Sequence, residues 1–307
     1  MKKDFFVIKA SNDLDLHCLH WQPDGPSIGV VQIVHGMAEH ADRFHGFAEF
    51  LTGHGYAVIG HDHPGHGKSV SGKLGLVQSD DSFHLLVDST HRVYKTIENT
   101  YPNLPVFIFG HSMGSFITQR MMQLQPIYPN GIIYSGSNGK PPLLLHFGIF
   151  LSKILSQIRG TDKKSPLIDY LTFGKYNKVF KPNRTDFDWL TRDKDIVDDY
   201  VKDPACGFIY PVGFYRDLFI GLKTLHQHES FSGYSKLVPM LLVSGDQDPV
   251  SNMGKGVHQL KSLLVNSGAE SVDINLYPGG RHEMLHELNR EEVMNDIHSW
   301  IQKHMNR

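Results

Sequence analysis

The sequence predicts an α/β fold: a mostly parallel sheet flanked by helices, with one long helical insertion. Three observations lead there. Short apolar runs rich in β-branched and aromatic residues alternate with segments of helical spacing, the pattern of a parallel sheet covered on both faces. Those runs end in Gly, His, Ser or Asp, at the strand ends where such sheets gather their working side chains. From about residue 140 to 236 no strand of this type recurs, and so long a structureless loop is uncommon.

The elements follow in order. Phe5–Lys9 and Leu16–Trp21 read as an opening hairpin. Ile28–Val34, Ala57–Gly60, Val106–Phe109, Gly131–Tyr134, Met240–Val243 and Val272–Tyr277 read as buried strands. Between them, Ala41–Thr52, Asp81–Thr100, Met113–Leu124, Met253–Asn266 and Glu291–Lys303 carry apolar residues at helical spacing. The last helix has Asn289 in front of it as an N-cap, with Glu292 three positions on. This divides the chain into a core of residues 1–139 and 237–307 and an insertion of residues 140–236. No internal repeat or low-complexity tract interrupts it.

Composition narrows the function. The 307 residues carry 30 Lys+Arg against 32 Asp+Glu, a net charge of −2. That leaves no basic excess to follow a phosphate backbone, so nucleic acid is not an expected partner. Two well-separated cysteines, Cys18 and Cys206, predict no disulfide framework and point to a reducing cytoplasm. Asp4 and Lys9 break the N-terminus, which leaves no apolar signal-peptide core. Leu143–Ile158, the most apolar stretch, is interrupted by His146 and Lys153 and is too short to span a bilayer. A soluble protein is expected.

The chemistry begins at Gly110-His111-Ser112-Met113-Gly114. A strand precedes it and a helical pattern follows, the context a GxSxG nucleophile elbow needs. A serine hydroxyl is a weak nucleophile and requires a base, which in turn requires an orienting carboxylate. In this type of sheet the chain order is Ser, acid, His. Ser244-Gly245-Asp246-Gln247-Asp248 offers two acids after one late strand. Gly279-Gly280-Arg281-His282-Glu283 offers a histidine after the next. The oxyanion needs two backbone N–H donors. Met113, the residue after the serine, supplies one, and the loop His35-Gly36-Met37-Ala38-Glu39-His40 supplies the other, with Met37 the first candidate. Glu39 has two readings: it shapes that loop, or it simply sits at the start of the next helix.

The chain resembles the α/β-hydrolases of the monoacylglycerol lipase and lysophospholipase type, within the serine hydrolases. The matching pieces are HGMAEH at His35, GHDHPGHGKS at Gly60, GHSMGS at Gly110, SGDQDPV at Ser244 and GGRHEMLHE at Gly279. The resemblance covers about residue 27 to the C-terminus. It implies Ser112 as nucleophile, Asp248 as acid, His282 as base, and Met37 and Met113 as oxyanion-hole donors. It also implies that residues 140–236 form a helical cap over the site, and that no cofactor is required. The expected substrate is a small acyl ester, a monoacylglycerol or lysophospholipid.

Other signals are weaker. His61-Asp62-His63-Pro64-Gly65-His66 imitates a metallo-hydrolase motif, but Gly65 stands where an acid ligand is needed, so no metal is expected there. Gly67-Lys68-Ser69 imitates a phosphate loop whose first glycine is replaced by Asp62. Leu143–Ile158 reads first as a cap helix packed on the core and second as a surface in transient contact with lipid aggregates. The aromatics Phe173, Tyr176, Phe180, Phe208 and Tyr215 read as cap core, and Cys206 as a buried small hydrophobe. Two other functions stay open. A proline-iminopeptidase-type serine peptidase would use an acid among Asp186, Asp188, Asp195, Asp198 and Asp199 to hold a free amino terminus. A non-catalytic binding protein on the same fold would have no need of an ordered Ser, Asp and His. The oligomeric state is not legible.

Overall fold

A computed structural model describes residues 1–139, 145–227 and 236–306. Among them run β1 (Lys2–Lys9), β2 (Asp15–Gln22), β3 (Gly29–Val34), β4 (Tyr56–His61), β5 (Val106–His111), β6 (Gly131–Ser135), β7 (Met240–Gly245) and β8 (Val272–Tyr277). They form one sheet in the order β1-β2-β4-β3-β5-β6-β7-β8. The hairpin β1–β2 and the pair β2–β4 are antiparallel, and all other pairs are parallel. Strands β3 to β7 are buried along their whole length. Burial on both faces is the reason their sequences read as unbroken apolar runs.

The two-residue period of a strand then separates two layers. Val30 and Val34 of β3 and Ile108 of β5 face α2 (Ser82–Thr100), α3 (Met113–Leu124) and α8 (Lys255–Asn266) through Leu86, Val93, Ile117, Met121 and Leu260. Val31 and Ile33, with Phe107 and Phe109, face α1 (His45–Gly53) and α9 (Arg290–Lys303) through Phe47, Leu51, Ile297 and Trp300. Burying a side chain of this kind contributes ~1.5–3 kcal/mol. Five helices on two faces thus hold the sheet.

Element ends differ from the expected ones where side chains intervene. Asp81 caps α2 by accepting the His84 N–H at 2.9 Å, so the helix begins at Ser82. Helix α8 begins two residues late because Asn252 and Met253 take left-handed backbone angles. Asn289 does stand in front of α9, yet its side chain makes no capping bond. Its amide donates to the Glu292 side chain three residues on at 2.8 Å and its carbonyl accepts from Arg192 at 3.1 Å, so the oxygen that would cap the helix is held by a tertiary partner.

Between β6 and β7 the chain passes through α4 (Leu145–Arg159), α5 (Pro166–Phe173), α6 (Lys194–Lys202) and α7 (Val212–Leu225). Ile168, Tyr210, Phe214, Leu218 and Phe219 join the same apolar cluster as α2 and α3, so this segment packs on the core. The expected boundary at residue 140 falls on residues 140–144, outside the described residues, and the one at 236 adjoins residues 228–235, also outside them. Helix α4 packs one face on the core as expected, through buried Leu145 and Ser152 and half-buried Ile149, Leu151 and Leu155, and leaves Phe147, Phe150 and Ile158 exposed on the other.

Candidate active site

Ser112 occupies the turn between β5 and α3 at φ 50° and ψ −119°. A non-glycine residue is uncommon there, and such strain costs on the order of 1–3 kcal/mol. The turn is possible only because its neighbour is small: a Cβ on Gly114 would lie 2.0 Å from the Val34 carbonyl oxygen. The crowding presses the start of α3 against the end of β3 and lifts the Ser112 hydroxyl clear of the sheet.

The other two side chains arrive from β7 and β8. His282, on the loop after β8, accepts the Ser112 hydroxyl at Nε2 over 2.9 Å. Its Nδ1 donates to Asp248 Oδ1 over 3.0 Å. The two loops touch because Gly245 has no side chain; a Cβ there would meet the Gly280 carbonyl at 1.9 Å. Asp248 is fully buried, and the same Oδ1 accepts the Val250 N–H at 2.8 Å, which fixes the carboxylate plane. Asp246 turns away and accepts the Gly279 N–H at 2.8 Å. The structure therefore brings together Ser112, His282 and Asp248 and leaves Asp246 bracing the histidine loop. Burial disfavours a charge on His282, but the Asp248 carboxylate and its hydrogen bond outweigh this and raise the histidine pKa above 6.5.

Met37 and Met113 also meet at this point, both lining one cavity with Ser112 and His282. Their neighbours' N–H groups are occupied. Gly36 donates to Glu39, Ala38 to the Tyr210 hydroxyl at 2.6 Å, and Ser112 to the Ser135 carbonyl at 2.9 Å. Among the described residues the Met37 and Met113 N–H groups have no acceptor in the protein. Two idle donors beside a serine hydroxyl suit a developing oxyanion.

The chain belongs to the family described as Serine aminopeptidase, S33 (Hydrolase_4). That family's model matches residues 25–289. A monoacylglycerol lipase of Mycolicibacterium smegmatis is 29% identical over 287 residues, covering 93% of this chain and 92% of that one. The monoglyceride lipase of Homo sapiens is 27% identical, covering 93% and 86%. A solved carboxyl esterase from Bacillus coagulans superposes with a TM-score of 0.92 at 27% identity, over 99% of each chain. The protein is a serine hydrolase of the lipase and esterase branch with the α/β-hydrolase fold.

In this S33 hydrolase the segment between β6 and β7 supplies most of the cavity, about 590 Å³ in volume. Phe173 of α5 and Leu218, Phe219 and Leu222 of α7, with Phe116 of α3, make the apolar wall. Asp169, Asn177 and Asp186 add a few polar groups, and among the described residues no Lys or Arg lines it. Of the aromatics expected to be core, Phe173, Tyr176 and Phe208 are wall, whereas Tyr215 is fully buried. Among the described residues of α4, none lines the cavity. Of the five aspartates considered as an amine anchor, only Asp186 does; Asp188 accepts from Thr185 and Asp198 pairs with Arg184.

Several residues that shape the site were not legible in the sequence. Trp189 lays its indole 5.1 Å from the His282 ring, at 35°. Arg43 spans Glu39 at 2.6 Å and both oxygens of Glu283 at 2.7 Å. That settles the two readings of Glu39: it shapes the loop. Glu283 is buried, but the paired guanidinium and His286 hold its carboxyl well below the usual range. Tyr210 receives the Ala38 N–H and donates to His66 Nε2, while His66 Nδ1 donates to the Pro64 carbonyl. The histidine-rich loop after β4 thus braces the loop that carries Met37. Polarity at 61–66 was visible in sequence; its partner, 144 residues away, was not.

Proposed function

We propose that this S33 hydrolase cleaves carboxylic esters of neutral lipids, monoacylglycerols first among them, through an acyl-enzyme on Ser112. The observation that carries the reading is the Asp248–His282–Ser112 relay, with links of 3.0 and 2.9 Å, at the floor of an apolar cavity beside two idle N–H donors. Ser112 Oγ attacks the ester carbonyl as its proton passes to His282 Nε2. The carbonyl oxygen, now negative, takes hydrogen bonds from the Met37 and Met113 N–H groups. Collapse breaks the bond to the alcohol, which leaves with the proton from His282. Water then repeats both steps on the acyl-enzyme and frees the acid. Asp248 holds the imidazole tautomer and stabilises the imidazolium.

Cavity chemistry supports the substrate class. An apolar wall suits an acyl chain, and a few carboxylates and amides suit a hydroxylated leaving group. Among the described residues the lining is acidic and amide without Lys or Arg, which favours a neutral alcohol over a phosphate-bearing one, so monoacylglycerol ranks above lysophospholipid. The segment of residues 140–236 acts as a cap, and Phe147, Phe150 and Ile158 on exposed α4 offer a surface for transient contact with lipid aggregates. No helix among the described residues is long and apolar enough to cross a membrane. Cys18 and Cys206 are buried free thiols, which suits a reducing compartment such as the cytoplasm.

One observation favours a second reading. Asp169 and Asp186 line the cavity and could receive an amino terminus, as an aminopeptidase requires. The test is turnover of monoacylglycerols, lysophospholipids, short aryl esters and aminoacyl amides at matched concentration, for the unmodified enzyme and Ser112→Ala. Ester turnover should dominate, and Ser112→Ala should lower kcat by several orders of magnitude, since losing a triad member leaves only a ~10³–10⁴-fold residual over water. Dominant amide turnover would favour the peptidase. Absence of turnover together with no labelling by an active-site serine reagent would favour a binding protein.

A further inference from the structure

We propose that His40, Asp203 and Cys206 form a binding site for a zinc-like divalent cation, at the junction between the loop carrying Met37 and the segment after α6. Their ligating atoms lie within 4.8 Å of one another, the one such group of three among the described residues. In tetrahedral zinc sites the bond lengths of about 2.0–2.3 Å place ligand atoms roughly 3.3–3.8 Å apart. Small side-chain rotations therefore close the set around an ion. His40 Nε2 already meets Asp203 Oδ2 at 2.8 Å, and both side chains are aimed inward by the fold. Asp203 is further oriented by the Ala205 N–H, which donates to its Oδ1 at 2.8 Å.

The donor types select the ion. An imidazole, a carboxylate and a thiol together suit zinc and its borderline neighbours, and suit magnesium or calcium poorly. Around the Cys206 thiol stand Arg43 and the carboxylates of Glu39, Asp203 and Glu283, and Arg43 is already taken by Glu39 and Glu283, which leaves the Asp203 carboxylate for the ion. Binding converts Cys206 to a thiolate and releases its proton to solvent. A dication with one thiolate and one carboxylate is then neutral, which limits the cost of burying it. Access is present, because the His40 and Asp203 side chains are 17% and 33% exposed while Cys206 is buried behind them. A water completes the fourth position.

The site is separate from the serine chemistry. None of the three residues lines the cavity of Ser112, so the inference stands whichever bond Ser112 attacks. Its consequence is mechanical. The backbone already joins these segments, since the Gly207 N–H and the Tyr200 hydroxyl both donate to the Ala38 carbonyl, at 3.0 and 2.9 Å. An ion would add a bond between them that the unfolded chain lacks, so it must raise stability by mass action.

Cobalt(II) titration of chelator-treated enzyme reads the site directly, because thiolate ligation produces a charge-transfer band in the near ultraviolet. One equivalent per chain should produce the band, zinc should displace the cobalt, and magnesium should not. Cys206→Ser should abolish the band with the fold retained, His40→Ala should weaken cobalt at least tenfold, and zinc should raise Tm in the unmodified enzyme but not in Cys206→Ser. A titration without the band overturns the site. So does zinc stabilisation that is equal in the unmodified enzyme and in both variants, which would assign binding to the other histidines.

Discussion

At Ser112 a positive φ is held in place by two absent side chains and by the helix that starts beside it. The strain has a use, because only this turn aims Oγ at His282 and leaves the Met113 N–H unpaired. Asp248 and Asp246 show how two neighbours of one type divide the work by direction alone. Asp248→Asn should lower kcat by orders of magnitude, whereas Asp246→Asn, which keeps an oxygen to accept the Gly279 N–H, should cost far less. Equal losses in a side-by-side kinetic assay would reverse the assignment. The pH profile gives the same residue a second readout. His282 works as a base only when neutral, and Asp248 raises its pKa, so kcat/KM should climb with pH through a midpoint above 6.5. In Asp248→Asn the carboxylate that raises the pKa is gone while burial, the largest influence, remains, so the midpoint should move down; an unmoved midpoint would detach it from His282.

Helices α5 and α7, and not α4, decide what enters the cavity. The apolarity of Leu143–Ile158 makes it a candidate for the acyl wall, but its first two residues lie outside the described ones, and the rest packs one face on the core and leaves Phe150 62% exposed on the other. Leu218 and Phe219 face inward from α7 instead. Each methylene buried is worth about 0.8 kcal/mol, so kcat/KM should rise roughly fourfold per methylene until the wall is filled. Leu218→Asp should flatten that series, hurting decanoate esters far more than acetate esters. Phe150→Asp should leave dissolved substrates unaffected and slow only those presented in lipid aggregates. A flat chain-length profile in the unmodified enzyme would remove the acyl-pocket idea.

Across the whole molecule, four histidines are buried together beneath the loop that carries Met37. His35 and His63 lie against each other with centroids 4.1 Å apart and planes tilted by 46°, and His61 and His66 pack around them. Burial drives all four pKa values down, to about 3 for His61 and about 4 for His66. Unfolded, each would titrate near 6.5, so between there and the folded values the unfolded chain binds more protons. Stability must then fall as pH falls through that window, by ~1.4 kcal/mol per pKa unit per group. His61 has neither ring nitrogen hydrogen-bonded, so His61→Leu should cost little at neutral pH and reduce the steepness of the acid loss. Parallel Tm-against-pH curves for the two proteins would show that the cluster is not the cause.

The sequence by itself determined the strands, the helices of the core, and the loops that bear Ser112, Asp248 and His282. Each of these is a local signal: an apolar period, a glycine pair, a strand end. It also showed that the alternation of strands and helices lapses between β6 and β7, because a missing alternation is as local as a present one. Tertiary structure alone decided the rest. Arg43 meets Glu283 across 240 residues, and Tyr210 meets Ala38 across 172. Those distances are bridged by the strand order, in which β3 lies beside β5 and the chain returns from the insertion to β7. No period in the sequence encodes which loop a returning helix will face. The inward turn of α7, the exposed outer face of α4 and the choice between two aspartates depend on that placement. They were settled by which groups could be buried with a partner and which could not.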